Sequence, residues 1–217
     1  MMVVALLAGA FSLVVLAPCI SMTRNFAIEP GLMTPGWYET LQWLKHNTPE
    51  PLEADSYYRL YDAPAGGSDF AYPDQAYSVM AWWDYGHWIT RASHRIPIAN
   101  PFQQGARAAA DYLLSSTEAE GLDLLRTREC RYVATDARTA TSAFHGVAAW
   151  AGKERSDYYE VYSQRTSGSG LETIVLYYPE YFQSMLIRLQ CFSGESYVPE
   201  TYRVIRYEDS GGLSGAE

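Results

Sequence analysis

Cysteine is scarce in this 217-residue chain: Cys19, Cys130 and Cys191 are the three present, and no two are spaced as C-x-x-C. That spacing excludes a thiolate zinc site and a thioredoxin-like redox motif. At most one disulfide can form, between Cys130 and Cys191 if Cys19 lies in a membrane, and two free thiols fit equally well. Basic residues are also short, 16 Lys and Arg against 25 Asp and Glu, for a formal net charge of -9. Nothing in that balance offsets the cost of approaching a polyanion, so nucleic acid is excluded as a partner. No G-x-S-x-G, P-loop or G-x-G-x-x-G pattern occurs. Asp84, His87 and His94 have metal-compatible spacing on a helix, but solvated or hydrogen-bonded histidines are the simpler reading. His145, between Phe144 and Gly146, reads as packed or locally bonded.

Apolar and aromatic residues are abundant. The chain is 48% hydrophobic, 14% aromatic and 19% charged, which excludes disorder and collagen-like structure. A chain of this size buries roughly 70% of its extended surface, enough for one ordinary domain or a core with a small appendage. Acidic side chains concentrate between Asn25 and Ser78 and read as a solvated surface.

Residues 2–20, MVVALLAGAFSLVVLAPCI, carry no charge, close to the ~20 residues needed to cross a bilayer core. A secretory signal peptide competes, but no Lys or Arg precedes Arg24, and a lipoprotein signal is opposed by Pro18 before Cys19. The run has no polar face to offer solvent, as a surface core helix would need. The expectation is a transmembrane helix ending near Pro18, so that residues 1–20 are membrane and 21–34, with prolines and glycines, form a connecting loop.

The globular part is expected over residues 35–209, with a flexible tail over 210–217. Thr34 caps a helix with Pro35 just inside it, and Trp37, Leu41 and Leu44 share its buried face as far as Asn47-Thr48-Pro49. Residues 63–68 read as a loop. Helices are predicted over 104–114, over 118–126 with Thr117 as cap, over 141–152 and over 181–191, and strands over 130–135, 173–178 and 202–207. The fold class is α+β: a mainly helical core with a few short strands, preceded by the end of a transmembrane helix.

The informative run is residues 82–88, Trp-Trp-Asp-Tyr-Gly-His-Trp, which holds three of the chain's six tryptophans. Two indole N–H donors and one carboxylate acceptor could satisfy a Ser or Thr hydroxyl completely, with its one proton and two lone pairs. A ligand without the hydroxyl would leave them unpaired. An aromatic core cluster with Asp84 as a helix cap is the competing reading.

Trp82 to Gly86, WWDYG, resembles the signature pentapeptide of the oligosaccharyltransferase catalytic subunit of asparagine-linked glycosylation, the AglB family. The match is complete over five residues. His87-Trp88-Ile89-Thr90, the basic stretch 91–95 and Asn100-Pro101-Phe102-Gln103 also resemble the segment on the C-terminal side of the pentapeptide in that family. So do the Trp43 to Pro49 helix end and Arg188-Leu189 resemble other parts of it, and the initial apolar run resembles the end of the last membrane helix.

The resemblance implies that Trp82, Trp83 and Asp84 bind the Ser or Thr hydroxyl of an Asn-x-Ser/Thr acceptor, with Tyr85 and Gly86 shaping the turn. Asp136-Ala137-Arg138-Thr139 occupies the place of a second family motif. It departs from the pattern, since Thr139 stands where Met or Lys is usual, and Asp136 also reads as a plain helix cap. The implied activity transfers a lipid-phosphate-linked oligosaccharide to asparagine, assisted by a divalent metal, Mg or Mn, held in loops outside this chain. The chain would then be part of a longer enzyme, with no catalytic residue or metal ligand of its own. The implied partners are the acceptor polypeptide, the lipid-linked oligosaccharide and the membrane; the implied location is the cell membrane, with the globular part outside an archaeal cell. The chain has no Asn-x-Ser/Thr of its own, because Asn47-Thr48-Pro49 lacks the third-position hydroxyl. The alternative is a membrane-anchored, non-catalytic module that binds carbohydrate or peptide, for which 18 Tyr and 6 Trp supply stacking surfaces.

Overall fold

The structure is a computed structural model that describes residues 11–28, 33–53, 56, 59–60, 62, 64–67, 70–165 and 170–197. The predicted strand over 202–207 and the tail over 210–217 lie outside the described residues, as do residues 1–10 and 29–32. Helices and strands are mixed, and the chain divides into two compact units, Met1–Ala109 with Leu125–Ala134, and Ala110–Leu124 with Thr135–Glu217.

In the first unit a π-helical turn, Ser12–Leu16, runs directly into α1, Ala17–Ile28. The helix does not end near Pro18 as expected. Pro18 lies inside this continuous helical run, just past the π-helical turn, a local widening of the kind found beside residues that interrupt the hydrogen-bond ladder. Nor are residues 21–28 a loop: no Gly or Pro interrupts them, and the Thr23 hydroxyl donates back to the Cys19 carbonyl at 2.8 Å. Among the described residues no helix is long and apolar enough to cross a membrane.

Helix α2, Pro35–Asn47, matches its prediction, with the Trp37 N–H donating to the Thr34 hydroxyl and Trp37, Leu41 and Leu44 buried. Three strands follow in one sheet: β1, Ser78–Met80; β2, Ile96–Pro97; and β3, Cys130–Val133. The order is β2-β1-β3 and both pairings are parallel, Ser78 facing Ile96 on one side and Met80 facing Val133 on the other. Central β1 is buried throughout, as a parallel strand covered on both faces must be. The 81–95 crossover between β1 and β2 is largely helical: a 3-10 turn, Trp83–Tyr85, then α3, Gly86–Trp88, then a π turn, Ile89–Ser93.

Helices α4, Ala106–Leu113, and α5, Glu118–Thr127, match their predictions to within a few residues, and the boundary between the units passes through both. The second unit continues with α6, Ala137–Ala140, which no predicted span covers, and α7, Phe144–Trp150, which matches the helix expected over 141–152 to within a few residues. A hairpin follows, β4, Tyr159–Arg165, paired antiparallel with β5, Leu171–Tyr177. The last two helices among the described residues are α8, Pro179–Gln183, and α9, Met185–Phe192. Phe144 packs against Tyr158 and Tyr181, with ring centroids 5.1 and 4.8 Å away. All three cysteines are free thiols, and burial pushes the pKa of Cys130 up.

Candidate hydroxyl-binding site

The Trp82 to Gly86 run leaves the carboxyl end of β1, the central strand of the parallel sheet. In open parallel sheets ligands settle outside that end, where connections depart to opposite sides. Here the chain leaves β1 for β2 on one flank, while β3 occupies the other. Beyond Val133 the ladder continues, the Ala134 N–H donating to the Met80 carbonyl at 2.8 Å.

Each member of the run has a distinct environment. Trp82 is buried, and its ring centroid lies 5.7 Å from that of Trp83. Tyr85 is buried between Trp37 and Trp88, at 4.2 and 5.4 Å, which ties the turn to α2. Trp83 and Asp84 are half-buried. The Nε1 atom of Trp83 is nevertheless shielded from solvent and has no hydrogen-bond partner among the described residues. An indole N–H is a donor only, and leaving one buried and unmade costs about 1–3 kcal/mol.

Gly86 is the residue this turn demands. A Cβ built on it would run into the Ala99 carbonyl oxygen and lie 2.6 Å from Asn100 Cα. Backbone therefore packs on backbone, locking the helical segment against residues 98–105. Gly105, at φ 73°, repeats the device, since its Cβ would meet the Ile98 carbonyl.

The crossover ends at His94, in the left-handed region at φ 54°, and Arg95, which is fully buried. The Arg95 guanidinium donates from Nε to the Thr48 hydroxyl at 2.8 Å, and from Nη2 to the carbonyls of Leu44, Lys45 and Thr48 at 3.1, 3.1 and 2.8 Å. Its Nη1 reaches Glu50 at 3.0 Å. A cation thus closes the negative end of α2 and fixes the far end of the crossover. Burial, followed by the charge of Lys45, holds the His94 pKa below its ordinary value, against an opposing pull from Glu50.

In the second unit Asp136 caps α6, accepting from the Thr139 N–H at 2.8 Å. Thr139 is 2% exposed, and its hydroxyl oxygen has no partner among the described residues. The Ala140 carbonyl at the end of α6 accepts from the Tyr181 hydroxyl at 2.7 Å, and burial raises the Tyr181 pKa. Buried Arg188 donates to Glu118 at 2.8 Å and to the Gly194 carbonyl at 2.8 Å, closing the end of α9. Trp82 to Gly86 therefore share one turn of the first unit, whereas Asp136 and Thr139 belong to the second. Among the described residues no group of three His, Cys, Asp or Glu is placed to hold a metal.

Sequence reasoning overlooked Trp37 and Trp88 as the walls around Tyr85, although aromatic density alone signalled them. It also overlooked Arg95 as a buried clamp, because a basic stretch reads as surface.

The AglB core domain, as its family model describes it, matches residues 34–140. A Haloferax volcanii dolichyl-monophosphooligosaccharide–protein glycotransferase, AglB, is 36% identical over 193 residues, covering 77% of this chain and 18% of that protein. Two solved structures of an Archaeoglobus fulgidus oligosaccharyltransferase are also similar. One is tethered by a disulfide to an acceptor peptide containing the NVT sequon: TM-score 0.64, 27% identity, 76% of this chain and 22% of that one. The other is a complex with Zn and sulfate: TM-score 0.65, 26% identity, 87% of this chain and 29% of that one. The chain spans less than a fifth of the length of the curated relatives it matches. The complete pentapeptide at the end of β1, the family match around it and the likeness in fold agree: the chain belongs to the AglB family.

Proposed function

We propose that this chain is the acceptor-recognising C-terminal part of a membrane oligosaccharyltransferase, which joins a lipid-phosphate-linked oligosaccharide to the asparagine of Asn-x-Ser/Thr. In this reading the apolar run over residues 1–20 belongs to the last membrane helix, which continues helically to Ile28, and residues 35–209 are the globular domain, outside the cell. The transfer forms a bond between the asparagine amide nitrogen and the first sugar, breaks the sugar–phosphate bond, and releases the lipid phosphate and the amide proton. A divalent metal would assist departure of the phosphate. The residues described here do not gather a ligand set for it, and this chain's part is to hold the acceptor.

The observation that carries the reading is the orphaned donor of Trp83. A shielded indole N–H without a partner is stabilised when a hydroxyl oxygen arrives, and Asp84 beside it is an acceptor for the hydroxyl proton. Trp82 packs against Trp83 and holds its ring, while Tyr85 and Gly86 set the turn. That the similar Archaeoglobus structure is tethered to an acceptor peptide containing the NVT sequon supports an acceptor-binding role in general. For Asp136 and Thr139, in the second unit, the unpartnered hydroxyl of Thr139 supports a polar contact of its own.

The test is a pair of peptides, Asn-Val-Thr and Asn-Val-Val, titrated against the 217-residue chain. Loss of the hydroxyl is expected to weaken binding about fivefold or more, the consequence of about 1–3 kcal/mol for an unmade buried bond. Trp83→Phe is expected to erase that difference. Equal affinity of the wild type for both peptides, or tight binding of free glycan with indifference to either, would overturn the reading in favour of a carbohydrate-binding module. Glycan transfer by the chain alone would overturn the division of labour.

A further inference from the structure

The loop that locks Gly86 carries an exposed aromatic ring. Phe102 is 79% exposed, and its ring meets that of His87 edge to face, with centroids 5.3 Å apart at 70°. The backbone beneath it is over-determined. Asn100 accepts from the Phe102 N–H through its side-chain oxygen at 2.9 Å and donates from Nδ2 to the Gln104 side chain at 3.0 Å. Gln103 donates its N–H to the Asn100 carbonyl at 2.8 Å and sits at φ 66°, in the left-handed region. With Gly86 and Gly105 packed on backbone at either side, the turn has little freedom to withdraw Phe102 from water.

His87 fixes where this ring stands relative to the hydroxyl-binding residues. It follows Trp83 by four positions and Asp84 by three along the helical segment, the spacing at which side chains are neighbours on one face. One helical turn advances about 5.4 Å. An extended peptide advances about 3.3 Å per residue and returns to the same side every second residue, so side chains two apart are about 6.6 Å apart. The two spacings are commensurate.

We infer that Phe102, braced by His87, is a second contact for the acceptor polypeptide and takes an aromatic side chain two residues beyond the sequon's Ser or Thr. The inference rests on the hydroxyl-binding role of Trp83 and Asp84. The residue two positions on the other side is the asparagine, which is committed to the glycan, so the downstream residue is the one left for Phe102. A ring-on-ring contact exposed on one side supplies preference without strict selection, as an edge-to-face or offset pair does.

The experiment compares Asn-Val-Thr-Ala-Tyr with Asn-Val-Thr-Ala-Ala, and with Tyr-Ala-Asn-Val-Thr as the upstream control, by titration of the 217-residue chain. The expected result is about fivefold tighter binding of the downstream tyrosine peptide over both others. Phe102→Ala is expected to bring that peptide down to the level of the alanine peptide, and His87→Ala to bring it part of the way. Phe102 is exposed, so its replacement removes no core contact. Equal binding of all three peptides by the wild type, or an unchanged preference in Phe102→Ala, would overturn the inference. So would loss of binding to phosphatidylglycerol vesicles in that variant with the peptide preference intact, which would make the ring a membrane contact. If Trp83→Phe also leaves all three affinities unchanged, the hydroxyl site itself is wrong. If Trp83→Phe weakens all three and the tyrosine makes no difference, only the Phe102 contact is wrong.

Discussion

Arg95 closes over Thr48, with Nε 2.8 Å from the threonine hydroxyl and Nη2 2.8 Å from its carbonyl. The two residues join the end of α2 to the end of the crossover that begins with the tryptophan pair. The same hydroxyl donates to the Leu44 carbonyl at 2.6 Å and lies 2.9 Å from the Tyr77 hydroxyl. Removing the guanidinium by Arg95→Ala takes the donor away from five carbonyls, those of Leu44, Lys45, Thr48, Ser93 and His94, of which Leu44 keeps the Thr48 hydroxyl. A loss of about 3 kcal/mol is expected, near the lower end for breaking a buried charged network. Arg95→Lys should recover little of it, because an ammonium cannot span the fork. Urea midpoints at constant slope would measure both.

Gly86→Ala is expected to destabilise by about 2 kcal/mol or more, since the new methyl meets backbone that cannot rotate away. Gly36→Ala is the control. Nothing lies within 4 Å of its Cβ position in the first turn of α2, and its effect should stay within about 0.5 kcal/mol. Similar effects from the two would contradict the packing described here.

Thr139→Val keeps the shape of a buried side chain and deletes a hydroxyl that has no partner among the described residues. The variant should be more stable by about 1 kcal/mol, the cost of the unmade bond being removed. If the hydroxyl meets the acceptor, affinity for the Asn-Val-Thr peptide should fall in the same variant. A gain in stability with unchanged affinity would confine Thr139 to the core.

The depressed His94 pKa gives stability a definite pH dependence. Below about pH 6.5, the ordinary value for histidine, the unfolded chain takes up a proton that the folded chain resists. The His94 contribution is therefore complete above that pH and is lost as pH falls through the folded pKa. His94→Asn, which keeps a residue tolerant of the left-handed backbone, should flatten the curve of stability against pH below about 6.5. A variant as pH-sensitive as the wild type would place the effect elsewhere.

The helix from Pro35 was legible because its cap, its proline and its buried face at Trp37, Leu41 and Leu44 are all local signals. The helix read over 181–191 is interrupted at Ser184 for a reason no local pattern carries. The Met185 N–H donates to the distant Ser115 carbonyl, and Ser184 turns to ψ 140° to allow it. The helix read over 141–152 is present over Phe144–Trp150, while no span covered α6 before it, whose end is fixed by a Tyr181 hydroxyl distant in sequence that donates to the Ala140 carbonyl. Strand β2 is two residues long, too short for any alternation to show. At the candidate site, the pentapeptide Trp82 to Gly86 was legible as a run of adjacent residues. The unpartnered indole of Trp83 and the absence of room at Gly86 needed coordinates, because both are statements about neighbours remote in sequence.

The middle strand of the parallel sheet comes first in the chain, and this sets the order in which the tryptophan turn can form. Ser78 is held by the Glu129 carbonyl through its N–H at 3.0 Å and by the Arg128 carbonyl through its hydroxyl at 2.8 Å, both some fifty residues downstream. Loop closure over that separation is slow relative to helix formation. During synthesis the tryptophan turn thus lacks the anchor of its preceding strand until β3 has left the ribosome, and a chain cut before Cys130 would carry the pentapeptide in full without that anchor.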